Sequence, residues 1–176
     1  MSGVGEREKV CQQRVVQLFT EQLGYTYLGN LKDTENSNVR IDLLQKFLNG
    51  KGYAPELINM AIAELLKVSG NQTKSLYEVN KEVYTLLRYG VQKKASSADK
   101  PKTVLFIDFE DFSKNDFYVA EEVTVKGNNT KRPDVVLYVN GIALCVIELK
   151  RSTVSISEGI RQNLDNQKDT FIKNFF

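Results

Sequence analysis

The stretch Arg132-Pro-Asp-Val-Val-Leu-Tyr-Val-Asn-Gly-Ile-Ala-Leu-Cys-Val-Ile-Glu-Leu-Lys150 decides the fold. Two apolar, β-branched runs flank Asn140-Gly141, the dipeptide best suited to the positive φ angles of a tight hairpin turn. The stretch therefore predicts a β-hairpin with strands over residues 135–139 and 142–147.

The charged residues at the open end of this hairpin are costly beside a buried sheet unless they bind a ligand or each other. Asp134 precedes the first run, and Glu148 and Lys150 follow the second, two residues apart and so on one face of a strand. Mg²⁺ takes one or two carboxylates and completes its shell with water and phosphate oxygens. The pattern predicts a catalytic Mg²⁺ site of Asp134 and Glu148, with Lys150 beside the attacking water.

The register of the hairpin decides whether this site can exist. In a perfect two-residue hairpin Asp134 faces Ile147, which puts Asp134 and Glu148 on opposite faces. The metal hypothesis therefore requires a one-residue offset, either from a β-bulge or from a longer loop with Gly141 in the left-handed region. We predict that offset, and an ideal hairpin would exclude the site.

Pro133-Asp134, followed after thirteen residues by Glu148-Leu149-Lys150, resembles the PD-(D/E)xK nuclease signature. The wider sequence is similar to the N-terminal nuclease region of the restriction subunit (HsdR) of type I restriction-modification enzymes. The matching stretches are residues 23–30, 77–91, 120–126, 131–144, 148–152 and 158–167, so the resemblance covers essentially the whole chain. It implies an α/β fold: a restriction-endonuclease-like core, with a mixed sheet flanked by helices, and a helical N-terminal portion.

The resemblance also implies a function. The family member would be a type I site-specific deoxyribonuclease that cuts double-stranded foreign DNA with Mg²⁺, acting with methyltransferase (M) and specificity (S) subunits. ATP would drive translocation through helicase-like motor domains, but this sequence has no Gly-x-x-x-x-Gly-Lys-Ser/Thr phosphate loop. We therefore expect an N-terminal piece of a larger subunit, with residues 1–100 as the helical portion and 101–176 as a nuclease core that lacks its final strand.

Two more residues are candidate metal ligands. Glu8 occupies the place where the family carries an acidic residue near the active site, and Leu149 is expected to lend its backbone carbonyl. The alternative for Glu8 is an acidic residue favoured in the first turn of a helix.

A basic loop, residues 126–132, leads directly into Asp134. Its Lys131 and Arg132 are well placed to hold flanking phosphates, contacts that give affinity without reading sequence. A simple hairpin loop is the alternative.

Gln162 matches the Gln of a helical Gln-x-x-x-Tyr motif, which resembles the RecB-like branch of these nucleases, where the Gln helps to orient DNA. The Tyr position of that motif holds Asn166 here. Arg161 and Gln162 are candidate DNA-positioning residues, with a solvated helix face as the alternative.

Composition limits the classes of function. The 176 residues contain no histidine, which excludes Ser-His-Asp and Cys-His catalysis and His-bearing zinc sites within this chain. A net charge of +2 is too small to indicate a nucleic-acid binder by itself. Cys11 and Cys145 offer no disulfide framework and indicate a reducing cytoplasm. No apolar stretch approaches the roughly 20 residues that span a bilayer, so no membrane partner is expected.

Periodicity and turn residues predict the remaining elements. Helices are expected over residues 6–23, 39–48, 55–68 and 75–88, and from Ser155 or Ser157 to about 171. Strands are expected over residues 25–28, 104–109 and 117–126, with residues 92–102 as a connector. The Leu and Tyr stripes of the helix at 75–88 are interpreted as core.

Two other functions stay open from the sequence. The chain could be a non-catalytic docking or DNA-positioning module of the same subunit, or another PD-(D/E)xK enzyme such as a DNA-repair or junction-resolving nuclease. Residues 78–84 and 158–162 match the type I family and argue against the second alternative.

Overall fold

The computed structural model describes residues 3–96, 98–126, 130–149 and 156–166, with the side chains of 3–8, 126, 156, 159, 162, 163 and 166 outside the description. The helices are α1 (Gly3–Gln17), α2 (Ile41–Gly50), α3 (Pro55–Ser69), α4 (Leu76–Tyr89) and α5 (Ile156–Asn166). The strands are β1 (Thr26–Asn30), β2 (Val91–Lys93), β3 (Lys102–Val104), β4 (Phe117–Glu121), β5 (Val125–Lys126), β6 (Thr130–Lys131), β7 (Val135–Val139) and β8 (Ile142–Ile147). The fold is mixed α/β, as predicted, and is consistent with a restriction-endonuclease-like core.

The chain forms two compact units. The first takes its described residues from Met1–Asn38, Phe117–Tyr138 and Ala143–Phe176 and contains most of a four-stranded sheet in the order β1-β4-β7-β8. The sheet is mixed, because β1 runs parallel to β4 while β7 and β8 form a hairpin. Helix α1 packs on one face, where Val16 shares a buried cluster with Val119 and Val135.

The second unit consists of Val39–Asp116 and Val139–Ile142. It is built from α2, α3, α4 and the antiparallel pair β2–β3 around an apolar core. The fully or nearly fully buried members of that core include Leu44, Leu48, Ala61, Leu65, Val104 and Phe106. The three helices predicted in this region are confirmed to within two residues at each end.

Ser75 forms a capping box at the start of α4. The Glu78 backbone N–H donates to Ser75 Oγ over 3.3 Å, and the Ser75 N–H donates to Glu78 Oε2 over 3.0 Å, so two donors that the helix leaves unsatisfied are paired. We expect Ser75→Ala to lower the free energy of unfolding by about 1 kcal/mol, and Ser75→Gly by only a few tenths, in urea denaturation. Equal stability of Ser75→Ala and the unmutated protein would contradict a stabilising cap.

The stripes of α4 do not all belong to the core. Val79 and Leu87 are buried, as predicted, but the tyrosines are not: Tyr77 is 75% exposed, Tyr84 60% and Tyr89 68%. The interpretation of the Tyr stripe as core is therefore wrong. The aliphatic residues alone provide the buried face of this helix, so the tyrosines lie outside it.

The strand predicted over residues 104–109 ends at Val104. Beyond it the chain turns, because Asn115 Oδ1 accepts from the Asp108 N–H over 2.8 Å and Asp108 Oδ1 accepts from the Asp111 N–H over 3.0 Å. Phe106 and Ile107 stay buried without pairing as a strand. Apolar residues that enter a core from a turn thus give the same sequence pattern as a buried strand.

The strand predicted over residues 117–126 is interrupted at Glu122, whose φ of 49° cannot continue an extended strand. Val125 and Lys126 pair with Thr130 and Lys131 instead. Residues 92–102, predicted to be a connector, begin and end in β2 and β3.

The helices predicted near the two ends of the chain are confirmed in part. The predicted helix over 6–23 is α1, followed by a π-helical turn at Leu18–Gln22, and Gly24 with φ 73° ends it. The helix predicted from Ser155 or Ser157 is α5, and its expected continuation to 171 lies outside the described residues. Within the described part of the chain, no helix is both long enough and apolar enough to cross a bilayer.

Candidate active site

The turn of the β7–β8 hairpin has two residues. Asn140 and Gly141 have φ of 53° and 88°, the pair of positive values that a type I′ turn requires, and the strands flank them directly. The proposed alternative of a longer loop is therefore wrong.

Asn140 is fully buried, and its side chain satisfies three backbone and side-chain groups. Nδ2 donates to the Phe106 carbonyl and to Asn115 Oδ1, each over 2.8 Å, and Oδ1 accepts from the Asp116 N–H over 2.7 Å. The turn is thus held by specific hydrogen bonds within the second unit, beyond the conformational preference of the dipeptide.

Apolar packing indicates a one-residue offset within β8. Ile147 packs against the cluster that contains Val16 and Val135, so Ile147 and Val135 share the sheet face that α1 covers. Strict alternation from a two-residue turn would instead pair Val135 with Val146 and send Ile147 to the other face. The packing of Ile147 therefore favours one extra residue of β8 between the turn and Ile147.

The exposure of the neighbouring residues in β8 agrees with this bulge. Leu144 and Cys145 are both exposed, which breaks the alternation expected of a strand. Burial, and after it the nearby Cys145 sulfur, raises the pKa of Tyr25, which packs in the same cluster as Ile147. With Ile147 on the face that α1 covers, alternation would put Asp134 and Glu148 together on the opposite face, as the metal hypothesis requires.

The Asp134 carboxylate is held by a hydrogen bond from the segment that follows β8. Oδ2 accepts from the Leu149 N–H over 2.6 Å, which joins the start of β7 to the segment just beyond β8. A short bond to an ionised acceptor is among the stronger hydrogen bonds in proteins. Asp134 and Glu148 are both half-buried. The structure therefore brings together Asp134 and the Glu148-Leu149 segment, the two halves of the predicted motif.

The main chain at Asp134 is also held from two sides. Its carbonyl accepts from the Glu122 N–H over 2.9 Å and from Gln12 Nε2 over 3.2 Å. Gln12 lies on α1 and is only 6% exposed. Sequence reasoning missed Gln12, although a polar residue one turn before Val16 on the apolar side of a helix is a signal that could have revealed it.

The acidic residues upstream of the site have partners in the first unit. Glu121 accepts a hydrogen bond from the Tyr27 hydroxyl, and burial, followed by this bond, raises the pKa of Tyr27 to about 12. Glu122 pairs with Arg132, with 2.7 Å between Oε2 and Nε. Arg132, predicted to hold DNA phosphates, is thus engaged with a carboxylate next to Asp134.

The other predicted site residues are placed less completely. Lys150 lies outside the described residues, and for Glu8 and Gln162 the structure gives only a helical position, on α1 and α5. Lys131 is half-buried in β6, and Arg161 is exposed on α5, where no described contact joins it to Asp134 or Glu148.

The donor set suits a hard divalent cation. Within the described ranges no group of three or more acidic, Cys or His side chains could hold a metal by themselves. Two carboxylates are nevertheless what Mg²⁺ ordinarily takes from protein, since water and substrate phosphate supply its other ligands. Asp134 and Glu148 therefore fit a Mg²⁺ site, and they do not form the closed cage of a structural metal.

Comparison with known proteins points to one family. A family model described as the type I restriction enzyme R protein N terminus matches residues 5–176. The chain is 26% identical over 164 residues to a putative type I restriction enzyme MjaIXP endonuclease subunit of Methanocaldococcus jannaschii, over 85% of this chain and 16% of that protein. It is 39% identical over 80 residues to the putative MjaVIIP endonuclease subunit of the same organism, over 43% of this chain and 7% of that protein.

A relative from a second organism has a description of the same kind. The type I restriction enzyme SauCOLORF180P endonuclease subunit of Staphylococcus aureus is 37% identical over 57 residues, over 32% of this chain and 6% of that protein. The chain thus spans less than a fifth of the length of these curated relatives.

Proposed function

The chain belongs to the family of type I restriction enzyme R protein N termini, and from this we propose that it is the endonuclease region of such a subunit, hydrolysing phosphodiester bonds of double-stranded DNA with Mg²⁺. In the longer protein this reaction would be coupled to ATP-driven translocation. Methyltransferase and specificity subunits would supply site recognition.

One observation carries the proposal. The Leu149 N–H donates to the Asp134 carboxylate over 2.6 Å, so two sequence segments thirteen residues apart meet at one end of a hairpin. The packing of Ile147 against the cluster of Val16 and Val135 supports a bulge in β8, which would put the Glu148 side chain on the Asp134 side of the sheet.

We assign roles to the chain's own residues as follows. Asp134 and Glu148, with the Leu149 carbonyl and Glu8 as further candidates, would hold Mg²⁺, and Lys150 would orient or help deprotonate the attacking water. Bound Mg²⁺ stabilises the charge that grows on the scissile phosphate. Lys131, Arg132, Arg161 and Gln162 are proposed to position DNA, and Arg132 would have to exchange Glu122 for a phosphate.

Metal titration of this chain tests the proposal directly. Calorimetric titration with Mn²⁺ or Mg²⁺ should show one binding event that is lost in the double variant Asp134→Ala, Glu148→Ala. The matched control is Glu56→Ala, Asp99→Ala, which removes two exposed carboxylates elsewhere. Equal binding by the site variant and the control would refute Asp134 and Glu148 as ligands.

Gln12 gives a second test of the same site. We expect Gln12→Leu to weaken Mn²⁺ binding several-fold and to lower the free energy of unfolding by about 1 kcal/mol, because one hydrogen bond to the Asp134 carbonyl is lost. Gln12→Glu keeps the size but replaces the donating amide by a carboxylate, so it should not restore affinity. Unchanged Mn²⁺ affinity in both variants would show that Gln12 does not position Asp134.

A further inference from the structure

Helix α4 presents an exposed face in which aromatic and basic side chains alternate. Tyr77, Lys81, Tyr84 and Arg88 are spaced four, three and four residues apart, and all four are exposed. At 100° per residue they fall within about 60° of arc, and they extend over roughly 16 Å of helix. We call these four residues the α4 stripe.

The cations of the stripe have no acidic partner within the described residues. Lys81 and Arg88 form no ion pair there, and the Arg88 guanidinium instead lies 4.8 Å from the centre of the Phe109 ring and 6.0 Å from that of Tyr89. Phe109 is itself 47% exposed. Stacking on two rings holds the guanidinium in place while leaving its charge available to a ligand.

The carboxylates beside the stripe are already engaged. Glu82 pairs with Lys74, and Glu78 accepts from the Ser75 N–H and hydroxyl in the capping box. On the Phe109 side, Asp108 pairs with Lys51 over 3.3 Å. On the stripe itself the charged groups are the two cations Lys81 and Arg88, while beside it the Glu78 carboxylate is held in the capping box without a cation. The stripe thus presents positive charge to an anion.

We propose that the α4 stripe binds a single strand of DNA. Exposed aromatic rings stack on bases regardless of sequence, and interspersed cations hold the backbone phosphates. A duplex offers the cations its phosphates but keeps its bases stacked, so Tyr77 and Tyr84 would add little there. An acidic protein surface would likewise use the cations without needing the rings in alternation with them.

The inference takes DNA as the ligand from the proposed function, and it adds a second contact that needs no metal. Its failure can be told apart from failure of the nuclease proposal, because binding can be measured in EDTA. The variant Asp134→Ala, Glu148→Ala should bind single-stranded DNA as the unmutated chain does. If that variant loses metal but keeps DNA, the two sites are independent.

The experiment is fluorescence anisotropy with a labelled oligo-dT 20-mer and with a duplex of equal length, in EDTA at low salt. Tyr77→Ala, Tyr84→Ala should weaken single-strand binding about tenfold or more with a much smaller effect on the duplex. Lys81→Ala, Arg88→Ala should weaken binding of both and reduce the salt dependence. The control is Lys67→Ala, Phe112→Ala, an exposed cation and an exposed ring that lie outside α4.

Three outcomes would overturn the proposal. The affinity for single-stranded DNA could be unchanged in both stripe variants. Alternatively, the control variant could lose as much DNA affinity as the stripe variants do. The tyrosine variant could also retain DNA affinity yet fail to assemble with methyltransferase subunits, which would make the stripe a protein-docking face. Circular dichroism of each variant ensures that a loss of affinity is not a loss of fold.

Discussion

Asp134→Ala, Glu148→Ala and Lys150→Ala are each expected to abolish DNA cleavage by the complete restriction enzyme, by about 10³-fold or more, while ATP hydrolysis and movement along DNA continue. The two carboxylates would hold the cation and the lysine would act on the water, so each removal disables one essential step. Linearisation of a supercoiled plasmid measures cleavage, and displacement of a DNA triplex measures movement.

Asp134→Asn removes the negative charge of this side chain while keeping its ability to accept a hydrogen bond. The amide oxygen can still accept from the Leu149 N–H, which spans 2.6 Å in the structure, but it no longer carries the charge that a cation needs. We expect cleavage to be lost and stability to be largely retained. The variant Asp99→Ala is the matched control and should cut normally. Cleavage at the unmutated rate by any of the three alanine variants would remove that residue from the mechanism.

Gly141→Ala is expected to destabilise the second unit by about 2–4 kcal/mol. Gly141 has φ of 88°, where a side chain is strained, and an added Cβ would lie 2.6 Å from the Arg40 carbonyl oxygen and 2.9 Å from the Leu44 nitrogen. Both are backbone atoms at the start of α2 that cannot move aside like a flexible side chain. Urea denaturation followed by circular dichroism measures the loss.

Gly52→Ala is the control that isolates backbone strain. Gly52 has φ of 74° in the same unit, but nothing lies within 4 Å of its added Cβ. Its substitution should cost only about 1–2 kcal/mol. Equal losses at both positions would show that the close approach of Gly141 to α2 contributes nothing.

Local sequence signals predicted the helices and the hairpin well. Pro55 at the first turn of α3 and Asn140-Gly141 in the turn each act on their immediate neighbours, so their effects are visible in sequence. Sheet partners were harder, because the parallel pairing of β1 with β4 joins residues about ninety positions apart.

The acidic residues of the candidate site could be predicted from the sequence, but most of the groups that hydrogen-bond to them could not. Asp134 and Glu148 follow from their charge at the ends of apolar runs, and their common face follows once a bulge is required. Gln12 and the Glu122 backbone N–H come from other elements, and nothing local to Asp134 indicates them. The exposed tyrosines of α4 were misread because periodicity gives the faces of a helix but does not say which face is covered.

A bulge in β8 would make the proposed site of Asp134 and Glu148 sensitive to whether a change in strand length is odd or even. Side chains alternate with a period of two, so inserting or deleting one residue between Ile142 and Glu148 would turn the Glu148 side chain away from Asp134 while leaving both carboxylates in the sequence. A change of two residues would restore the face and alter only the distance. Among natural length variants of this hairpin, those that differ by an even number in β8 should be the ones that still cut DNA.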